Sequence, residues 1–137
     1  MPYRFGPHIN RIRSILRGKH DPDLRAVLSR ELERLDAAAL AADNAMRYIA
    51  VNAQACGLTG FSGSELLKMT VMDATPLPRT EEGRHRWQEF IAQGLQRGVY
   101  ELRRRDGTMV EVRYWAYASV APGVHISLLV PTDTEDK

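Results

Sequence analysis

The chain has 137 residues, 44% of them hydrophobic and 26% charged, with a formal net charge of +2. That length supports one domain with a real core and is too short for two. No apolar run approaches the ~20 residues that cross a bilayer, and the single cysteine, Cys56, excludes an intrachain disulfide and fits a reducing, cytoplasmic setting.

The opening "MPYRFGPHINRIR" is basic but has no apolar stretch of the kind a signal peptide needs. Residues 1–20 hold Arg4, Arg11, Arg13, Arg17 and Lys19 and no acid. A footprint for nucleic acid or an anionic membrane is one reading of that charge. No aromatic or glycine pattern for base contact accompanies it, so a solvated helix face is preferred. Ile9, Ile12, Ile15 and Leu16 fall at helical spacing among the arginines and predict a short amphipathic helix over 8–17. After "RGKH" breaks it, "DPDL" opens a second helix, with Asp21 as N-cap and Pro22 at the first helical position. Leu24, Val27, Leu28, Leu32 and Leu35 make an apolar stripe along that helix, which runs to about Leu35. Such a stripe suits lying on the parent domain or forming a short coiled coil.

"ALAAD" and "YIAVN" predict two short strands with a turn at "NAMR" between them. "NAQACGLTG" and "SGSELLKM" read as short helical turns, and "DATPLPRT" as a loop stopped by its prolines. Thr80 then caps a longer helix, with Glu81 and Glu82 where the helix dipole favours acids and Trp87, Phe90, Ile91 and Leu95 as its apolar face. In "GVYELRRRDGTMVEVRYWAYASV" two strand-like runs flank Asp106-Gly107, a strong hairpin signal. "PGVHISLLV" adds a strand after a Pro122-Gly123 turn, and "PTDTEDK" is a polar tail. Two strands, small helices and a three-strand meander indicate α+β with an antiparallel sheet.

Two of these stretches are distinctive together. "YIAVNAQACGLTGFSGSELL" resembles the PAS-domain pattern of a strand ending in Asn, a small-residue helix, "LTG" plus an aromatic, then "ELL". "LRRRDGTMVEV" resembles the PAS hairpin signature, in the right order and about the right distance away. The resemblance covers residues 36–131, which leaves 1–35 as an N-terminal helical extension and 132–137 as the tail. It implies a five-stranded antiparallel sheet with small helices and one longer helix over one face. It also implies a sensory or protein-interaction module of signal transduction, a cavity sometimes filled by haem, flavin or a metabolite, and dimerisation through a helix ahead of the first strand and the outer sheet face. Asn52 takes a structural role in that pattern, tying its side-chain amide to nearby backbone. Where many such domains continue through "D-I-T-E" into a signalling helix, this chain reads "TDTEDK" and stops without an output segment. A piece of a larger sensor with a fused output domain and a stand-alone module meeting a separate signalling partner both fit.

Alternation puts Val110, Val112, Tyr114, Ala116 and Ala118 on one strand face, and Met109, Glu111, Arg113, Trp115, Tyr117 and Ser119 on the other. Two large aromatics on an outer face expose an unusual apolar patch unless something covers it. The leucine stripe is the available cover, from the same chain or from a second copy. Leu24, Leu28, Leu32, Leu35, Trp115 and Tyr117 are therefore the candidate interface of a homodimer. The alternative is a bulge that swaps the two faces.

For a small-molecule ligand, the cavity lining would be Trp87, Phe90, Ile91, Val112 and Tyr114, unless these side chains fill the space themselves. No bound cofactor is the preferred reading, with haem and flavin as alternatives. Haem would need His85, the one His on the long helix. At 100° per residue His85 falls about 160° from Trp87, on the polar side with Glu89. His8, His20 and His125 are isolated and show no zinc-ligand spacing. The flavin subclass with a reactive cysteine needs "G-x-N-C-R", and "KMTVMDATP" has neither that pattern nor a Cys. Catalysis finds no nucleophile elbow, phosphate loop or paired carboxylates.

Overall fold

The computed structural model of the protein describes residues 5–20, 22–74 and 81–135. Its elements are α1 (Gly6–Leu16), α2 (Asp23–Glu33), β1 (Ala38–Ala42), β2 (Tyr48–Val51), α3 (Ala53–Thr59), α4 (Gly63–Leu66), α5 (Val71–Ala74), α6 (Glu81–Gln93), β3 (Leu95–Arg103), β4 (Met109–Ala121), β5 (Val124–Pro131) and α7 (Thr132–Glu135). The strands form one antiparallel sheet in the order β2-β1-β5-β4-β3. This is the α+β arrangement expected from the sequence.

Side-chain alternation sorts the strands onto two faces. Ile9, Ile12 and Leu16 of α1, with Leu28 and Leu32 of α2, pack against Trp115, Tyr117, Ile126 and Leu128 on the outer face. Phe5 meets Trp115 edge-on, with ring centroids 5.3 Å apart. The cover over the outer sheet thus comes from the chain's own helices, and Trp115 and Tyr117 point outward as alternation requires. Leu28 and Leu32 are completely buried. Burying one leucine is worth about 2 kcal/mol. An eleven-residue helix such as α2 is marginal alone in water, so this packing is what holds it.

A bulge does exist, but beyond the aromatics. The β4–β5 register breaks between Tyr117 and Ala121, and Ser119 sits in the left-handed region at φ 53°. Ala118, Ser119 and Val120 stand opposite His125 alone, and within this bulge of two extra residues Val120 turns to the outer cluster although alternation from Val112 would turn it inward, while Ala121 keeps the outward side of Tyr117.

Several local expectations shift. α2 starts at Asp23, and Pro22 is its N-cap rather than its first residue. Proline's fixed φ serves either position, while Asp21, the expected cap, lies outside the described residues. Leu95 opens β3 instead of ending the helix face, because Gly94 at φ 84° terminates the helix. Asp73 and Ala74 belong to the helical turn α5 rather than to a loop; the rest of that stretch, with Thr80, is outside the described residues. The polar tail begins with the turn α7, where the Thr132 hydroxyl donates to Glu111 Oε1 at 2.9 Å.

Asn52 joins the two layers. Its Oδ1 accepts from the Ala39 N–H (3.0 Å) and the Ala55 N–H (2.9 Å), capping α3. Its Nδ2 donates to the carbonyls of Leu32 and Ala37, both at 2.8 Å. All four hydrogen-bonding positions of this buried amide are therefore used, on α2, the α2–β1 link, β1 and α3.

Candidate functional site

The inner face carries a second apolar cluster that includes Tyr48, Leu66, Leu102, Val112 and Leu129. Beside it lies a cavity of about 490 Å³. Residue size explains the space. The strands present Ala42 and Ala116 to it and α5 presents Ala74, and side chains this short leave a gap below the helix. Trp87 and Phe90 of α6 border it on one side, and Tyr100, Tyr114, His125 and Ser127 of the sheet on the other.

Tyr114 owes its position to a glycine. In the β3–β4 ladder it lies opposite Gly98, where a Cβ would come within 3.1 Å of the tyrosine ring. Without that Cβ the ring can lie close to the backbone, and it meets Tyr100 edge-on at 5.2 Å. Desolvation pushes the hydroxyl pKa of Tyr48, Tyr100 and Tyr114 above the ordinary value, with Tyr100 adding to the shift at Tyr48 and Tyr114 to that at Tyr100. These groups stay neutral.

His125 is the feature that sequence reasoning missed. It is buried, and its ring meets Trp87 edge-on at 5.5 Å and Phe90 at 6.1 Å. The Ser119 N–H donates to its Nδ1 at 2.9 Å. That bond assigns the proton to Nε2, which reaches Asn44 Oδ1 at 2.7 Å. Burial lowers the imidazole pKa, and the Asp43 carboxylate opposes the shift. The signal was available in "VHISLLV". With Val124, Ile126, Leu128 and Val130 directed outward, His125 and Ser127 must share the inner face with Leu129.

Of the residues expected to line a cavity, Trp87, Phe90 and Tyr114 do so. Ile91 is half-buried and Val112 is packed within the inner cluster; neither is among the lining residues. His85 stands on the exposed flank of α6, with Nε2 3.1 Å from Glu89 Oε1. The six candidate interface residues are all on the outer side, Leu28, Leu32, Leu35, Trp115 and Tyr117 buried and Leu24 partly so, packed within their own chain.

These placements do not fit haem or a flavin–thiol adduct. Both nitrogens of His125 are engaged by protein, and His85 does not line the cavity. Cys56, whose thiol pKa is raised by burial and by Glu33, does not line it either. Among the described residues there is no group of three or more His, Cys, Asp or Glu that could hold a metal ion, and no helix long and apolar enough to cross a membrane.

A family model described as PAS fold matches residues 32–123. Similar solved structures include the PAS domain of an HTR-like protein from Haloarcula marismortui, 15% identical over 80% of this chain and 92% of that one, with a TM-score of 0.64. A domain of a sensory box sensor histidine kinase/response regulator from Geobacter sulfurreducens is 17% identical over 82% of this chain and 98% of that one, TM-score 0.64. The Rhodobacter sphaeroides LOV protein is 12% identical over 81% of this chain and 68% of that one, TM-score 0.64. At these identities the likeness is one of fold. Among curated proteins nothing matches the chain.

Proposed function

The chain belongs to the PAS-fold family, and on that premise we propose that it is a non-catalytic sensory and protein-interaction module of signal transduction, acting in the cytoplasm. In this reading the inner cavity receives a small molecule, and the helices on the outer face pass the consequence to a signalling partner or output domain.

One observation carries the proposal: the β4–β5 bulge touches the cavity wall, the end of α6 and α1 at once. The Ser119 N–H donates to His125, whose ring packs on Trp87 and Phe90. The Ser119 carbonyl accepts from Arg13 Nη1 of α1 at 3.1 Å. The neighbouring Ala118 N–H donates to the carbonyl of Gly94, where α6 ends, at 2.9 Å. A shift of Trp87 or Phe90 on ligand entry therefore reaches α1 through a single non-glycine residue held at positive φ. Such a residue is a point where two backbone arrangements of similar energy can coexist.

Homodimerisation takes a definite form here. The leucines of α2 already serve one chain, so a dimer built on them exchanges α1 and α2 between copies.

The test is amide hydrogen exchange along α1 in the full chain and in an Ala116→Phe variant, whose ring fills the cavity. Altered protection over residues 9–16, with the helices otherwise folded, is the expected result. Identical exchange in α1 would disconnect the cavity from the outer helices and overturn the proposed route.

A further inference from the structure

The chemistry of the cavity wall narrows what can enter it. Tyr48 lines the cavity and is buried to 6% exposure, yet its hydroxyl has no hydrogen-bond partner among the described residues. The hydroxyls of Tyr100 and Tyr114 likewise have none. None of these oxygens is sealed from the cavity, so they are open to whatever enters it, and a ligand gains there only by matching the hydrogen bonds that water would make. Around them stand five aromatic rings in two groups, Tyr100 against Tyr114, and Trp87 and Phe90 against His125.

Among the described residues the wall offers no unpaired positive charge. The tyrosines and His125 are held in their neutral forms. The charged lining residues, Arg86 and Glu89, are opposite in sign and lie on the exposed side of α6; Arg86 is paired with a carboxylate, and Glu89 is paired with an imidazole that carries charge only when protonated. Arg86 reaches Glu82 at 2.8 Å and Glu89 reaches His85 at 3.1 Å. An anion taken into this space would lose its water and find no unpaired positive charge among the described residues. The His125 nitrogens are occupied by Ser119 and Asn44, so polar recognition falls to the tyrosine hydroxyls, which can donate, with Ser127 and Gln96 as further polar groups on the wall.

We infer that the cavity takes an uncharged, planar aromatic molecule bearing a hydrogen-bond acceptor, anchored by the Tyr48 hydroxyl and stacked among the aromatic side chains. This rests on the sensory reading above and specifies its ligand. A space of about 490 Å³ lies in the range of small-molecule sites and suits a ligand of one to three rings. Tyr48 sets the requirement for an acceptor, and the lack of an unpaired positive charge among the described lining residues sets the discrimination against anions.

The experiment titrates the purified full chain by calorimetry and thermal shift with three probes of comparable reach. These are 2-acetylnaphthalene (neutral, aromatic, one acceptor), 2-naphthoate (the same rings, anionic) and 1-decanol (neutral, flexible). The ketone is expected to bind about tenfold or more tightly than either of the others, and Tyr48→Phe to weaken it by about tenfold, the worth of one well-made buried hydrogen bond, while leaving decanol unchanged. Ala116→Phe is expected to abolish binding of the ketone. Tighter binding of naphthoate or decanol would overturn this ligand class and leave the sensory reading standing. Equal ketone affinity in a folded Tyr48→Phe protein would do the same. Silence from all three probes would remove both. The comparison of probes on the unaltered chain decides the question even if Tyr48→Phe does not fold.

Discussion

On the outer face of the sheet Leu28 and Leu32 have no exposed surface, and α1 and α2 interlock with Trp115, Tyr117, Ile126 and Leu128. On the inner face Trp87 is only half-buried, five of the 13 residues of α6 are charged, and alanines at 42, 74 and 116 leave open space. The same sheet supports both, so the difference comes from what alternation delivers to each side. β4 and β5 send Trp115, Tyr117, Ile126 and Leu128 outward, whereas inward they send Ala116, His125 and Ser127 beside Val112 and Leu129. Close packing makes the outer layer respond as a unit, since such interfaces change by jumps rather than by yielding. The inner layer can rearrange around a guest. A sensor needs that asymmetry: one face that accommodates and one that conveys.

The sharpest way to break the comparison is at Asn52, where the layers meet. Asn52→Ala leaves buried carbonyls and N–H groups on α2, β1 and α3 without partners, and should cost about 4 kcal/mol in urea unfolding. A loss below about 1 kcal/mol would mean that water replaces the amide and that the layers are not joined there. Next comes a pair. Leu32→Ala removes a fully buried side chain and should cost about 3 kcal/mol. Trp87→Ala, although it deletes a larger side chain, should cost only about 1 kcal/mol, because that side chain is half-exposed beside a cavity. Equal costs would refute the contrast between a sealed and an accommodating face.

Much of this was legible in the sequence, and the limits have physical causes. The outward placement of Trp115 and Tyr117 followed from period-two alternation, and their cover from leucines at helical spacing, because both signals are local and repeat. Asn52 was legible as a structural amide through the resemblance to the PAS pattern of a strand ending in Asn. The bulge was not, since two inserted residues leave no composition signal and show only as Val120 turning to the outer cluster. His125 and the hydroxyls of Tyr48 and Tyr100 were overlooked because a pocket forms from what is small nearby, Ala42, Ala74 and Ala116, and those residues come together only through the tertiary fold. Leu95 was assigned to the wrong element because apolar spacing continues past Gly94, and only the positive φ of that glycine ends the helix.

The smallest expected effect addresses how the two faces communicate, and it depends on pH. His125 holds its folded-state pKa below the ordinary 6.5, chiefly through desolvation and against the pull of Asp43. Other charges near it are Arg86 and Glu89 across the cavity, each paired, and Arg13 on the far side of the Ser119 carbonyl. Between the folded value and 6.5 the unfolded chain binds a proton that the native protein refuses. The contribution of His125 to stability is therefore complete above 6.5 and declines as the pH falls through that window. Protonation also places a hydrogen on Nδ1, where the Ser119 N–H now donates. The bulge then loses its anchor, and Arg13 with it a fixed acceptor. Unfolding free energy should consequently fall as the pH drops below 6.5 in the unaltered chain. In His125→Asn the slope there should flatten, whereas Leu32→Ala should lower the whole curve and keep its slope. If the slope persisted in His125→Asn, the pH response would belong to other groups, and the inner face would have no titratable link to the bulge that holds α1.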